Sequence, residues 1–262
     1  MESVSLGAEG YQLYGNIDQQ WGGVQVFLDG GRSWHPRDYT ENWQLIATDV
    51  ETTGCNPKKQ TPVHHARVHS FSIAYFPTNV EYGLRGQPLA KRVFFLGPPE
   101  GLAAEALCDR SIGKVMHQAH YDRQSYLNHG LDVGCCLDTL RLSKLLAPHS
   151  KNHKLKFLMR RDLGYELGDF GALFSRPTKG VKGQDLKKRE MIPLDTIPMF
   201  SPLGCCLVDY ASLDSKGTLE ECVMLSRQVA ARKTYRLPDF VSYYYGIEPG
   251  WLAILRRLNA AI

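Results

Sequence analysis

Apolar positions fall into two regimes along the chain, short strand-like runs first and helical spacing afterwards. Trp43 to Val50, Val68 to Phe76 and Val93 to Leu96 predict three strands. In the second run Val68, Ser70, Ser72 and Ala74 share one side, and Phe71, Ile73 and Tyr75 share the other. The close succession of these runs predicts hairpin connections and an antiparallel start to a mixed sheet. A helix pattern at Leu102 to Cys108 and a short strand at Lys114 to His117 come next. From there the pattern is helical: Tyr121 to Asn128, Leu137 to Leu146, Lys154 to Leu163, and a long helix from Cys205 to Lys233. Strands first and helices after predict an α/β fold, a mixed β-sheet packed by helices.

Around this core lie segments of different character. Residues 1–40 are rich in Gly, Gln and aromatics, with a β-like run from Gly23 to Leu28, and read as an N-terminal extension. The main domain is expected at 41–235. Within it, Ser175 to Gly204 holds four prolines and a basic cluster from Lys179 to Arg189, which predicts an exposed loop or mobile insertion. Residues 236–262 form a tail punctuated by Pro238 and Pro249 and ending in the amphipathic Trp251 to Ile262.

Composition narrows this picture only a little. Of 262 residues, 43% are apolar and 22% charged, enough to bury a sizeable core. A formal charge of +4 and a pI near 8.6 permit a nucleic-acid partner without arguing for one. The seven cysteines include two adjacent pairs and no C-x-x-C spacing, which fits reduced thiols better than a disulfide framework or zinc site. The amino terminus has no basic segment followed by an apolar one, and no uncharged apolar run reaches about 18 residues. A cytoplasmic protein with no membrane partner is the expectation.

Three acidic segments carry the chemistry. Hydrophobic residues lead a strand into Asp49-Val50-Glu51-Thr52, placing two carboxylates on one face. Like charges side by side at the end of an apolar strand repel, and a divalent cation between them relieves the repulsion. Asp-x-Glu also marks an ordinary solvated strand end. The second segment, His117-Gln118-Ala119-His120-Tyr121-Asp122-Arg123, leaves a strand and enters a helix, where a lone Asp also suits the helix dipole. In the third, Tyr210 and Asp214 lie four apart on one helix face. Gly217 costs a helix interior about 1 kcal/mol against Ala, so its presence predicts a close approach by something else.

In that order and context, these segments resemble the DEDD superfamily of 3′–5′ exonucleases, in the subgroup with a Tyr in its third motif (DEDDy). The likeness is greatest to the proofreading domain of family A DNA polymerases, whose core has a ribonuclease H-like fold, and it runs from about Gln44 to Gln228. Asp49 and Glu51 match the first motif, His117 to Arg123 the second, and Tyr210 with Asp214 the third, with Thr218 four residues on. Asp138-Thr139 to Leu146 and His153-Lys154-Leu155 to Leu163-Gly164 resemble the helical stretch between motifs. Gln118 departs from the usual Asn but keeps its amide one methylene further out. The 175–204 segment is longer than typical.

The resemblance implies two-metal phosphodiester hydrolysis, with Mg²⁺ as the ion and Mn²⁺ as substitute. Asp49, Glu51, Asp122 and Asp214 would be both metal ligands and catalytic residues, and Tyr210 would orient the attacking water. Thr52, Gln118 and Tyr121 would contact the terminal nucleotides. Candidate phosphate-holding cations are Lys58, Lys59, His64, His65, Arg123, Arg160, Arg161 and the cluster Lys179, Lys182, Lys187, Lys188 and Arg189. Phe170 or Phe174 is a candidate second wall, with core packing as the alternative. The implied partner is a single-stranded DNA 3′ end or frayed primer terminus, in proofreading during DNA replication. A ribonuclease D-like RNA-trimming enzyme and a catalytically inactive nucleic-acid-binding or polymerase-docking module are the alternatives. Tyr245 to Pro249 with Leu252 to Leu258 looks like the segment that opens a family A polymerase domain. That would suit a polymerase fragment, or a free-standing exonuclease serving a separate polymerase chain, for instance in a viral replication complex of the host cytoplasm.

Overall fold

The computed structural model describes residues 44–54, 65–134, 136–165, 167–168, 170–177, 189–199 and 201–231, with the backbone of four short strands ahead of residue 28. The tail 236–262, the basic run from Lys179 to Lys188, and Lys58, Lys59 and His64 lie outside the described residues.

The centre is a seven-stranded mixed sheet. In chain order its strands are β3 (Gln20–Trp21), β4 (Val24–Phe27), β5 (Leu45–Thr53), β6 (Arg67–Tyr75), β7 (Lys91–Leu96), β8 (Gly113–Met116) and β9 (Cys136–Asp138). Across the sheet they run β3-β4-β7-β6-β5-β8-β9. The β5–β6 and β6–β7 pairs are antiparallel, as expected of hairpins, while β8 and β9 add in parallel on the far side of β5. The expected extension reaches further into the fold than a leader would. Its β4 pairs in parallel with β7 and carries β3 at the sheet edge, and β1 (Val4–Leu6) and β2 (Tyr11–Leu13) form a separate two-stranded ladder.

Helices cover both faces. On one side lie α1 (Gly101–Cys108) and α2 (Ala119–Leu127); on the other lie α3 (Thr139–Leu146) and the long α6 (Pro202–Ala231). The strand alternation divides accordingly. Ile46, Phe71, Ile73, Val93 and Phe95 pack with Ala103, Leu107 and Tyr126, and Phe71 stacks on Phe95 at 4.4 Å. Leu45, Ala47, Ala74 and Val115 pack with Leu142, Leu219, Cys222 and Val223. Most of β6 is buried on both faces, as a central strand between two helical layers must be.

Small side chains on the second face bring α6 close. Ser72 donates to the Ala211 carbonyl at 2.8 Å. Arg92 on β7 reaches Asp209 with a 2.8 Å ion pair. Gly217 meets Met159, whose side chain would occupy the place of any Cβ there. The close approach foreseen at Gly217 is therefore structural packing. Met159 opens a π-helical turn, Met159–Leu163, that continues α4 (Leu155–Leu158) where one unbroken helix was expected.

Two buried acids on α6 contrast. Glu220 is sealed but accepts from the Ala90 amide at 2.8 Å, the Tyr165 hydroxyl at 2.6 Å and Lys216. Glu221 is equally sealed, neither of its oxygens has a well-formed hydrogen bond, and it lies beside Asp162 of the π turn. Within the 175–204 segment, β10 (Ser175–Pro177) pairs with β11 (Arg189–Met191), and a 3₁₀ turn at Leu194–Thr196 leads into α6. A short α5 (Phe170–Leu173) precedes it. No described helix is long and apolar enough to cross a membrane. Cys108, Cys136, Cys205, Cys206 and Cys222 are free thiols.

Candidate active site

Three elements deliver the predicted carboxylates to one region. Asp49 and Glu51 continue the Leu45–Ala47 side of β5, so both face α6. A register irregularity between Glu51 and Thr52 ends the regular pairing there. Asp122 comes from the first turn of α2, and Tyr210 and Asp214 come from the face of α6 opposite β5. Asp49 and Glu51 are half-buried, while Asp122 and Asp214 are buried.

Their electrostatics follow from this proximity. Asp49 is pushed well above the carboxylate range, first by burial and then by Asp122, Glu51 and Asp214. Glu51 rises to about 8 through burial, Asp214 and Asp122. Asp122 is raised by burial and by Asp138. Asp214 reaches about 6 by burial, held back by Lys156 and by a hydrogen bond from the Tyr210 hydroxyl. Burial and the surrounding carboxylates push the Tyr210 phenol upward, so it stays protonated and acts as a donor.

An open cavity of ≈ 610 Å³ fronts this group. Of the predicted residues, Asp49, Gln118, Tyr210 and Asp214 line it. Thr52 and Tyr121 bond to each other through their hydroxyls instead of reaching into it. Gln118 holds the one positive φ (69°) at a described non-glycine residue. Asp138 holds that turn in place: its carboxylate accepts from the amides of Gln118 (3.0 Å), Ala119 (3.2 Å) and Leu140 (2.9 Å), tying α2 to α3. Asn tolerates the left-handed region better than Gln, so the departure from the motif carries backbone strain.

The cations facing the carboxylates differ from those expected. Lys144, Lys151, Lys154 and Lys156 line the cavity, with His117, Asn152, His153 and Phe170. Arg123 belongs to a separate hollow of ≈ 230 Å³ with His120 and Gln124. Arg161 pairs with Asp162 and lies over Phe157, and Arg160 is exposed. The signal in the sequence was a lysine at 144, 151, 154 and 156 between the second and third motifs, a run that gains meaning only when the fold lines one cavity with these lysines, Asp49 and Asp214. His117 bonds to Thr139 (2.9 Å) and is lowered to about 4, mainly by burial, so it is a neutral wall of the cavity. Phe174 is buried in the core, whereas Phe170 both lines the cavity and packs on Tyr210 at 5.1 Å.

Do these groups suit a divalent cation? Among the described residues, no three His, Cys, Asp or Glu side chains already stand close enough together to grip an ion. The carboxylates share a field, not a closed cage. The donor set still fits a hard cation, because it is all oxygen, and because Asp122 Oδ2 and Asp214 Oδ1 are sealed from solvent without a hydrogen-bond partner.

Known proteins bear on this geometry. Brucella melitensis NrnC with bound Mg²⁺ has the same fold at 15% identity, with TM-score 0.53 and 90% of each chain covered. The same protein bound to pGG gives 17% identity, TM-score 0.50 and 84% of each chain. Escherichia coli RNase D gives 15% identity and TM-score 0.47, over 84% of this chain and 46% of its own. No curated protein sequence matches significantly. The family model described as 3′-5′ exonuclease matches residues 38–230, a span that contains all four carboxylates and Tyr210. The chain belongs to the 3′–5′ exonuclease family.

Proposed function

We propose that this protein is a metal-dependent hydrolase that removes nucleotides from the 3′ end of single-stranded DNA. What supports the reading is one observation: Asp49 of β5 and Asp214 of α6 line one cavity, Glu51 and Asp122 lie within their field, and two sealed oxygens, on Asp122 and Asp214, are left unpaired. A pair of hard divalent cations held by Asp49, Glu51, Asp122 and Asp214, Mg²⁺ or in its place Mn²⁺, would activate water and neutralise charge on the leaving 3′ oxygen.

The chain's own residues do the rest. Tyr210, protonated and with its one proton given to Asp214, orients the attacking water by accepting from it on the hydroxyl oxygen instead of deprotonating it. Lys144, Lys151 and Lys154 hold the phosphates of the incoming strand. The Gln118 amide and the Phe170 ring offer a polar contact and a stacking surface. A site of this kind selects mismatched ends through the cost of unpairing, because it accepts only a frayed strand. The likeness of the motif set to the proofreading domain of family A polymerases supports proofreading beside a DNA polymerase as its setting. RNA trimming is the second reading, supported by the fold shared with a protein bound to pGG.

The test is digestion of a 5′-labelled primer–template with a 3′ mismatch, alongside matched single-stranded DNA and RNA, with Mg²⁺ and with chelator. Stepwise shortening from the 3′ end, only with metal and abolished by Asp49→Ala, is the expected result. Faster loss of RNA moves the substrate to RNA. Cutting by Asp49→Ala at the wild-type rate sinks the assignment.

A further inference from the structure

The sequence pattern assigns Lys156 no role, yet it occupies the most constrained cationic position in the cavity. It lies on α4, and its ammonium sits 4.1 Å from the centroid of the Tyr210 ring. The same ammonium donates to the Gly168 carbonyl at 2.7 Å. Two residues further on begins α5, which brings Phe170 and Phe174 against the other sides of that ring, at 5.1 and 5.9 Å. The Tyr210 ring is therefore boxed by two aromatic neighbours and one cation. Its hydroxyl is left pointing at Asp214. The positive field of Lys156 also reaches Asp49, Glu51 and Asp214.

We infer that Lys156 is a positioning residue for Tyr210: it clamps the ring by a cation–π contact and holds the Gly168 carbonyl, two positions before the Phe170 that completes the box. The inference rests on the nuclease reading for its kinetic consequence, though not for the contact itself. A cation over a ring face is attracted by the ring quadrupole even where, as at Lys156, the ammonium stays partly exposed. A tyrosine that orients a water must hold its hydroxyl to within a fraction of an ångström to be useful. Loss of the clamp leaves the phenol in place but lets it swing. The cost therefore falls on turnover and not on strand binding.

Lys156→Met keeps the length and removes the charge; Lys156→Arg keeps a cation able to stack. Turnover and KM are measured on a labelled single-stranded oligonucleotide with Mg²⁺. Lys156→Met is expected to lower kcat about tenfold with KM within about threefold, and Lys156→Arg to recover most of kcat. On a Tyr210→Phe background, which has no hydroxyl to orient, Lys156→Met should add less than about twofold. The second readout needs no activity. In metal-free protein carrying 3-fluorotyrosine, the ¹⁹F resonance missing from Tyr210→Phe is assigned to Tyr210. It should move or broaden in Lys156→Met and stay near its place in Lys156→Arg, with melting temperature confirming that each variant folds. A rise in KM at unchanged kcat, full additivity with Tyr210→Phe, or an unmoved resonance in Lys156→Met overturns the proposal. A wild-type protein that cuts no nucleic acid would defeat the nuclease reading, while the resonance still decides the clamp.

Discussion

Replacing Glu221 by Gln should stabilise the protein at neutral pH and do nothing at acid pH. Glu221 is fully buried on α6, without a well-formed hydrogen bond to either oxygen. Burial first, and then the neighbouring Asp162, raise its pKa from 4.5 to about 9. Asp162 goes the other way: its own burial is outweighed by the hydrogen bonds and charge of Arg161, by the neighbouring Glu221 and by the charge of Arg85. The protonated form of Glu221 is thus the one the fold accepts beside an ionised Asp162. The sign follows from linkage. An acid with a raised folded pKa contributes its full share below its unfolded value near 4.5, and loses it as the pH climbs towards the folded value.

Each pH unit in that window costs about 1.4 kcal/mol, so the interval from 4.5 to 7.5 sets a ceiling of about 4 kcal/mol. Relaxation of neighbouring side chains around the ionised form takes back part of this, leaving about 2 kcal/mol. Gln has the shape and donor of the protonated acid and needs no proton. Glu221→Gln should therefore gain about 2 kcal/mol at pH 7.5, or roughly 4–8 °C in melting temperature for a chain of this size. Thermal melts followed by circular dichroism, in chelator, from pH 4 to pH 8 measure it. The gain should fall to zero near pH 4.5. A variant equally favoured at every pH, or less stable at pH 7.5, refutes the account of a protonated acid inside the helix pair.

Three further outcomes bear on the site. Tyr210→Phe should slow nucleotide release by roughly 10- to 100-fold while its melting temperature stays close to wild type, since the ring keeps its contacts with Phe170 and Phe174. Gln118→Asn should be more stable by up to about 1 kcal/mol in denaturant titrations, because Asn accepts the left-handed backbone more readily; a loss of stability would place the origin of that conformation in the longer side chain. Replacing Lys144, Lys151 and Lys154 together by Ala should reduce the salt-dependence slope of single-strand binding by about 2, at roughly 0.7 for each phosphate no longer neutralised. An unchanged slope would mean that the strand takes another path.

Much of this protein is legible in one dimension. Alternation in β6 and the hydrophobic lead into Asp49 fix which side chains share a face, since a strand has period two whatever surrounds it. The carboxylates and Tyr210 could be named only through the family resemblance that their order and context carry, and the open question at Gly217 pointed correctly to a close approach. What the sequence left undecided has a common cause. Lys144, Lys151, Lys154 and Lys156 are indistinguishable from solvated lysines until the fold brings them to line one cavity with Asp49 and Asp214. The basic residues that looked most promising either lie outside the described residues or are directed elsewhere, Arg123 to the outer hollow and Arg161 to Asp162. The strain at Gln118, the proton on Glu221 and the clamp on Tyr210 each depend on a partner 20 to 59 positions away in the chain. Local pattern settles which face a side chain takes; charge state and neighbours depend on what the fold brings opposite it, and only tertiary structure specifies that.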